Sequence, residues 1–350
     1  MNSLTCSNFP AARLATACSI ALGLLFIMAL MLPTQLQAAE LPVCALPERL
    51  DPVFASRFEP GAENGELALD EPGPFSVLTQ AGQTVRDGRT TPWVAYLPDG
   101  AELPALVLFA PGFQIPSAAY RDWVEHLASW GIIAVRADPP GGLFTVSHVA
   151  MTLDLRAVLD DLLLPGTLAM APDPERIVTA GHSLGGKLAV MVADSDERVA
   201  AVFTLDPVNG GGPGGYTPER PNIVPGSVEN QDIPLGFVGE LLDGTGGPFG
   251  ACAPLAQNYQ TFFEAADASP SAYEWTLDGA AHNDFVTNPD SCGLPCGLCS
   301  TGTLDTEVTH ASMRAAGVAF IRAHLDGDTD NCTWLTGQRV PPAVSIRQSP

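Results

Sequence analysis

The stretch RIVTAGHSLGGKLAVMVAD, residues 176–194, joins an apolar strand pattern to an apolar helix pattern across one serine. Residues 176–180 predict a buried strand that ends at Gly181, and a helix pattern begins directly after Ser183. In Gly-x-Ser-x-Gly at such a junction, the serine sits on a strained turn, and the glycines avoid collisions between a Cβ and the neighbouring strand and helix. The alternative is a plain glycine-rich turn. We predict that Ser183 is a nucleophile.

Apolar segments rich in Val, Ile and Leu alternate with longer amphipathic segments on both sides of this turn. This alternation predicts the α/β class, with a mostly parallel central sheet that is covered by helices on both faces. The predicted strands are residues 93–97, 105–110, 132–137, 176–180, 199–205, 234–240 and 272–277. The predicted helices are residues 118–130, 149–164, 184–194, 254–266 and 307–325.

The amino-terminal residues 1–39 have a different character from the rest. They contain one charge, Arg13, then an apolar run over residues 17–32, and small residues around Ala39. This order predicts a secretory signal peptide that is cleaved near Ala39. An uncleaved anchor is the alternative, although the run is shorter than the roughly 20 residues that a membrane span needs. The remaining chain then consists of a catalytic domain and a C-terminal tail, residues 40–325 and 326–350.

Composition and charge narrow the range of partners. The chain has 350 residues, 46% of them hydrophobic, and a formal net charge of −23. The apolar share predicts a packed domain, because disordered chains are low in hydrophobic residues. The negative charge opposes binding to nucleic acid and to anionic membrane surfaces. We expect a monomer that binds no nucleic acid and has no stable membrane span once the leader is removed.

Six cysteines remain beyond the leader, and an even number in an exported protein predicts disulfide bonds. The spacing of Cys292, Cys296 and Cys299 would also suit a metal site, but no histidine follows at a suitable distance. Sequence alone allows fifteen pairings of six cysteines. The six are Cys44, Cys252, Cys292, Cys296, Cys299 and Cys332.

A nucleophilic serine needs an imidazole to take its proton and a carboxylate to orient that imidazole. His282 lies in a loop of small residues directly after the last predicted strand, which is the position for the base. Asp206 and Asp243 both follow predicted strands at the edge where an open parallel sheet places its site, so spacing leaves both open as the acid. The other histidines lie on or beside predicted helices, namely His126, His148, His310 and His324.

The developing oxyanion needs two main-chain N–H groups. One is predicted at Leu184, the residue after the nucleophile, and the other at Phe113, in the loop after the strand 105–110. This chemistry requires no metal and no organic cofactor. The Gly- and Pro-rich segment 209–227 begins three residues after Asp206, and it either lines the site or is a passive connector.

Beyond the serine turn, the chain resembles the chlorophyllase family of α/β-hydrolases, which is related to platelet-activating-factor acetylhydrolases, polyester hydrolases and cutinases. The resemblance implies the α/β-hydrolase fold and hydrolysis of a small-molecule or lipid-like ester through an acyl-enzyme. Pro111 departs from the family, which usually has His before the oxyanion Gly, whereas polyester hydrolases also carry Pro-Gly here, so the departure bears on the substrate rather than on the chemistry. The similar motifs occur in the same order and lie in residues 105–131, 181–187, 205–210, 252–263 and 279–284.

The resemblance also bears on the acid. Members of the family take it from the Asp-Pro-Val turn, which implies Asp206 here, whereas a cutinase-like or polyester hydrolase would select Asp243. Our hypothesis is a secreted or periplasmic ester hydrolase with Ser183, His282 and Asp206 as its triad. The alternatives are a polyester, cutinase-like or lipid-ester hydrolase that uses Asp243, and a non-catalytic exported binding protein on the same fold.

Overall fold

The computed structural model describes Cys44 and residues 68–349, apart from residues 144, 213 and 247–249. The expected signal peptide lies outside the described residues. The strands are β1 (Val77–Arg86), β2 (Arg89–Pro98), β3 (Leu106–Ala110), β4 (Ile133–Ala137), β5 (Ile177–His182), β6 (Val199–Leu205), β7 (Leu235–Gly239), β8 (Ala272–Leu277) and β9 (Val344–Gln348). The α-helices are α1 (Arg121–Ser129), α2 (His148–Leu162), α3 (Leu184–Ala193), α4 (Gly226–Glu229), α5 (Tyr259–Glu264), α6 (Thr306–Leu325) and α7 (Cys332–Leu335).

The strands form one sheet in the order β1-β2-β4-β3-β5-β6-β7-β8-β9. Pairing is parallel from β4 through β8, and antiparallel between β1 and β2, between β2 and β4, and between β8 and β9. The predicted α/β class with a mostly parallel sheet is therefore confirmed. The carboxyl ends of β3, β5, β6, β7 and β8 lie at one edge, where the loops of the predicted site begin.

The central strands are buried along their whole length, as the continuous apolar runs predicted. One apolar core lies between the sheet and helices α1 and α6, and contains Trp123, Phe203 and Phe320. The other lies on the opposite face, under α2, α3 and α5, and contains Leu188 and Phe237. Because both faces are covered, the loops at the strand ends are the parts of the fold that can admit a substrate.

All seven predicted strands are present, but two strands at the edges of the sheet were missed. The sequence of β1, VLTQAGQTVR, has polar residues on its exposed face, and β9, VSIRQ, is short and half-exposed. β9 comes from the predicted tail and pairs with β8, a long-range contact that local pattern does not reveal. The predicted helix 254–266 is also too long: it begins at Tyr259, because the Asn258 side chain caps its first turn.

Three disulfide bonds join the six cysteines predicted to pair: Cys44–Cys332, Cys252–Cys299 and Cys292–Cys296. The disulfide prediction is therefore confirmed, and the alternative of a thiolate metal site is wrong. Cys252–Cys299 connects the loop after β7 to the loop after β8, so it braces the edge of the sheet where the site lies. No helix in the described part of the chain is long and apolar enough to cross a membrane.

Candidate active site

Ser183 occupies the turn between β5 and α3 with φ 54° and ψ −119°. This positive φ is unfavourable for a serine, so the surrounding structure has to hold the turn in place. The turn packs closely against β3. A Cβ on Gly185 would collide with the main-chain oxygen of Ala110, the last residue of β3. The glycines thus allow the turn to pack against the neighbouring strand, and they leave the serine at the N-terminus of α3.

His282 begins a short 3-10 helix in the loop after β8, and its ring connects two predicted site residues. Its Nε2 lies 2.9 Å from Oγ of Ser183, and its Nδ1 lies 2.5 Å from Oδ2 of Asp206. Because a carboxylate only accepts, Nδ1 carries the proton and donates to Asp206. Nε2 is then free to accept the hydroxyl proton of Ser183, which is the arrangement that a general base requires.

The two candidate acids contact different parts of His282. Asp206, which follows β6 with φ 41°, contacts the imidazole ring. Asp243, which lies in the loop after β7, accepts a hydrogen bond of 2.8 Å from the main-chain N–H of His282 through Oδ2. Its other oxygen accepts a hydrogen bond of 2.8 Å from the main-chain N–H of Ser300, next to the disulfide-bonded Cys299. The structure thus brings Asp206, and not Asp243, to the ring.

A third acid, Glu240, lies beside this pair and was missed by the sequence analysis. Its Oε2 accepts a hydrogen bond of 2.9 Å from the main-chain N–H of Asp243, while its own N–H lies 3.4 Å from Oδ1 of Asp206. Burial, and then the nearby Asp206, raise the pKa of Glu240 to about 9. Burial also raises the pKa of Asp206, an effect that the hydrogen bond from His282 opposes. The cluster therefore holds a protonated Glu240 at neutral pH.

Asp206, Glu240 and His282 offer potential ligand atoms within 4.8 Å of one another. Metal-binding histidines use an unprotonated nitrogen, however, and here Nδ1 of His282 carries the proton that it donates to Asp206. The geometry thus suits proton transfer at Ser183 better than metal coordination.

Phe113 and Leu184, the predicted oxyanion donors, line the same cavity of about 250 Å³. Within the described part of the chain, neither of their main-chain N–H groups has a backbone or side-chain acceptor. Leu184 directly follows Ser183, and Phe113 faces the same cavity as Leu184, so these free donors are of the kind that an oxyanion requires. The remaining wall of the cavity is mixed: it includes the apolar side chains of Ile115, Val146 and Met151 and the polar side chains of Gln114 and Asp138.

The remaining histidines named in the sequence analysis take other places. His126 hydrogen-bonds through Nε2 to the main-chain oxygen of Leu69, at 2.8 Å. Burial lowers the pKa of His126 to about 4, that of His148 to about 3 and that of His324 to about 4, and it also lowers the pKa of His310. The side chains of His126, His148 and His324 are therefore neutral at pH 7. Within the described residues, none of the four histidines hydrogen-bonds to Ser183, whose side chain instead contacts His282.

The segment 209–223 is attached to helix α3 by a buried lysine. Nζ of Lys187 donates hydrogen bonds to the main-chain oxygens of Gly210 (3.0 Å) and Pro221 (2.5 Å). It also lies 5.5 Å from the ring centroid of Tyr216. Burial lowers the pKa of Lys187 to about 7. The segment that follows Asp206 is thus fastened to the helix that begins at the nucleophile.

Two further polar residues at the site, His182 and Tyr120, were not predicted. Nε2 of His182 lies 3.0 Å from the main-chain oxygen of His282, and Nδ1 of His182 lies 2.7 Å from Oη of Tyr120. A sequence signal existed for His182, because a polar residue ends an otherwise apolar strand directly before Ser183. All four polar atoms of His282 therefore have partners: Ser183, Asp206, Asp243 and His182.

Comparisons with known proteins extend over most of the chain. The family model described as Chlorophyllase matches residues 81–347. Chlorophyllase-1 of Arabidopsis thaliana is 28% identical over 301 residues, which cover 79% of this chain and 88% of that protein. Chlorophyllase-2 of the same plant is 26% identical over 247 residues, and the match covers 64% of this chain and 74% of that protein. Cutinase 1 of Thermobifida cellulosilytica is 24% identical over 232 residues, and the match covers 65% of this chain and 80% of that protein.

Proposed function

Because this chain belongs to the chlorophyllase family, we propose that it is a carboxylic ester hydrolase that works through Ser183, His282 and Asp206. The observation that carries the proposal is the continuous hydrogen-bond chain from Ser183 Oγ through the His282 ring to Asp206. The cutinase relative, named for related ester chemistry, supports the same reaction class.

In the proposed reaction, Oγ of Ser183 attacks the ester carbonyl carbon while Nε2 of His282 takes the hydroxyl proton. Asp206 stabilises the resulting imidazolium, and the N–H groups of Phe113 and Leu184 bind the oxyanion. The C–O bond to the alcohol breaks, and His282 gives its proton to the leaving oxygen. A water molecule then attacks the acyl-enzyme by the same route, which releases the acid and restores Ser183.

The cavity beside Phe113 and Leu184 supports an apolar acyl or alcohol group in the substrate. The part of its wall formed by Ile115, Val146 and Met151 favours an apolar portion of a small-molecule or lipid-like ester. The cutinase relatives favour one second candidate, hydrolysis of a polyester. Release of soluble acids from a polyester film, measured beside hydrolysis of short and long monomeric esters, separates the two.

We also propose that the protein is exported. Three disulfide bonds fit an oxidising compartment, and the sequence of residues 1–39 has the order of a secretory signal peptide. Cleavage near Ala39 predicts a mature protein that begins near Glu40. Amino-terminal sequencing of protein recovered outside the cytoplasm tests this: an intact amino terminus in that fraction would refute cleavage.

The central test compares Ser183→Ala, directly before α3, with a control serine just beyond the other end of that helix. Loss of the nucleophile should reduce kcat for a short p-nitrophenyl ester by about 10⁶-fold, as in triads of this kind. Ser195→Ala, after the end of α3, removes an equivalent hydroxyl and should retain activity. A fluorophosphonate probe should label the wild type and Ser195→Ala but not Ser183→Ala. An unlabelled, inactive wild type would instead support the non-catalytic binding protein.

A further inference from the structure

His182 and His282 are joined by a hydrogen bond that fixes the protonation of both nitrogens of His182. Because the main-chain oxygen of His282 only accepts, Nε2 of His182 carries the proton and donates it across 3.0 Å. Nδ1 of His182 is then an acceptor, so the Tyr120 hydroxyl donates to it across 2.7 Å. The three residues form one directed chain of hydrogen bonds that ends on the main chain of the proposed base.

The other end of this chain lies on the loop after β3. The main-chain N–H of Gly112, next to the proposed oxyanion donor Phe113, donates to Oη of Tyr120 at 3.3 Å. Gly112 also packs directly on the two side chains. A Cβ at this position would lie 3.0 Å from Nδ1 of His182 and 3.1 Å from Oη of Tyr120. The oxyanion loop and His282 are therefore in contact with the same pair of side chains.

Burial fixes the positions of the Tyr120 and His182 side chains and favours the neutral form of His182. Tyr120 and His182 are both fully buried, and the Tyr120 ring packs against Phe109 with ring centroids 4.9 Å apart. Burial, and then the neighbouring His282, keep the pKa of His182 well below its ordinary value. The ring centroids of the two histidines are only 4.6 Å apart. A neutral His182 therefore adds no cation beside His282 when the latter takes the serine proton.

We propose that Tyr120 and His182 act as a pair of positioning residues that hold the main chain of His282 at a fixed distance from the oxyanion loop. The inference rests on the proposed function, because the distance matters only if His282 and the oxyanion donors serve one reaction. Neither side chain contacts the reacting atoms. Their effect is on the alignment of groups in the transition state, where small displacements cost much of the rate.

The test is Tyr120→Phe, which keeps the buried ring and removes the hydroxyl. The variant leaves Nδ1 of His182 and the N–H of Gly112 without their partner. We expect kcat for a soluble p-nitrophenyl ester to fall about 10- to 100-fold, with KM changed less than about twofold. The matched control is Tyr273→Phe, at the start of β8 and so at the opposite end of that strand from the loop of His282; it loses the buried hydrogen bonds of Oη with Ser271 and Cys44. The control should lose thermal stability and keep kcat.

A double variant tests whether the two residues act as one unit. If both act through His282, Tyr120→Phe combined with His182→Ala should lower kcat no further than His182→Ala alone. Losses that multiply, or a Tyr120→Phe variant with wild-type kcat, would overturn the inference. Should His182→Ala not fold, the comparison of Tyr120→Phe with Tyr273→Phe still decides. The proposed function fails separately, through an active Ser183→Ala variant.

Discussion

Asp243 holds the main chain of His282: its Oδ2 accepts the His282 N–H at 2.8 Å, while the imidazole ring turns to Asp206. Two acids from neighbouring strand ends thus serve one histidine in different ways. Asp206 orients the ring and sets its tautomer. Asp243, in the loop after β7, also accepts a hydrogen bond from the N–H of Ser300. It therefore joins its own loop to the loop after β8, next to the Cys252–Cys299 disulfide that links the same two loops.

The two acids should therefore differ in what an isosteric amide does to the rate. Asp206→Asn should lower kcat by about 10⁴-fold, because the amide can donate to Nδ1 and so favours the wrong tautomer. Asp243→Asn keeps one acceptor oxygen for the two N–H groups and leaves the ring partner intact. We expect it to lose at most about 100-fold. Steady-state rates at one pH on one soluble ester give the ranking, and a more severe loss in Asp243→Asn would reverse the assignment.

Glu240→Gln should change how stability depends on pH. The pKa of Glu240 is raised from 4.5 to about 9 by burial beside Asp206. Between these values the folded state keeps a proton that the unfolded state has lost, so this group makes stability fall as pH rises. Glutamine has no proton to lose and retains an acceptor oxygen for the Asp243 N–H. Relative to the wild type, the unfolding free energy of the variant should therefore rise by up to about 1.4 kcal/mol per pH unit between pH 5 and 8.

Urea unfolding at several pH values measures this difference. Glu264→Gln, an exposed carboxylate at the end of α5, is the control for the loss of one negative charge. A stability difference between Glu240→Gln and the wild type that is the same at pH 5 and pH 8 would show that Glu240 is ionised throughout.

Strand ends were predictable from the sequence pattern, whereas the choice of Asp206 over Asp243 depended on the family resemblance, because spacing left both acids open. The serine turn and the loop of His282 follow long apolar runs, and the carboxyl ends of parallel strands meet at one edge. Asp206 directly follows β6, and Asp243 lies in the loop after the adjacent strand β7, so which of them reaches the ring depends on side-chain direction, which Asp206 attains with φ 41°. His182 and Tyr120 were missed for a similar reason, because they meet across 62 positions of sequence.

Removal of the Cys252–Cys299 disulfide should lower both stability and turnover. The bond closes a loop of 47 residues and fixes the residue before Ser300, whose N–H binds Asp243. With both cysteines replaced by serine, we expect a loss of about 2–4 kcal/mol in unfolding free energy, since longer loops gain more from closure. The control is the same change at Cys292–Cys296, which closes only four residues and should cost less. Equal losses in stability and equal kcat values for the two variants would contradict this account.

Lys187→Met should give a pH dependence opposite in sign to that of Glu240→Gln. Burial lowers the pKa of Lys187 from 10.5 to about 7, so between these values the unfolded state binds a proton that the folded state lacks. This group therefore makes stability rise with pH over that window. Methionine matches the apolar stem but cannot donate to Gly210 and Pro221. Relative to the variant, the unfolding free energy of the wild type should rise by up to about 1.4 kcal/mol per pH unit from pH 7 to 9.

Glu240 acts with the opposite sign up to pH 9, so the contributions of Lys187 and Glu240 offset each other in the wild type. Urea unfolding of each single variant should therefore reveal the pH dependence of the group that remains. A constant difference between Lys187→Met and the wild type over this range would mean that Lys187 stays charged in the folded protein.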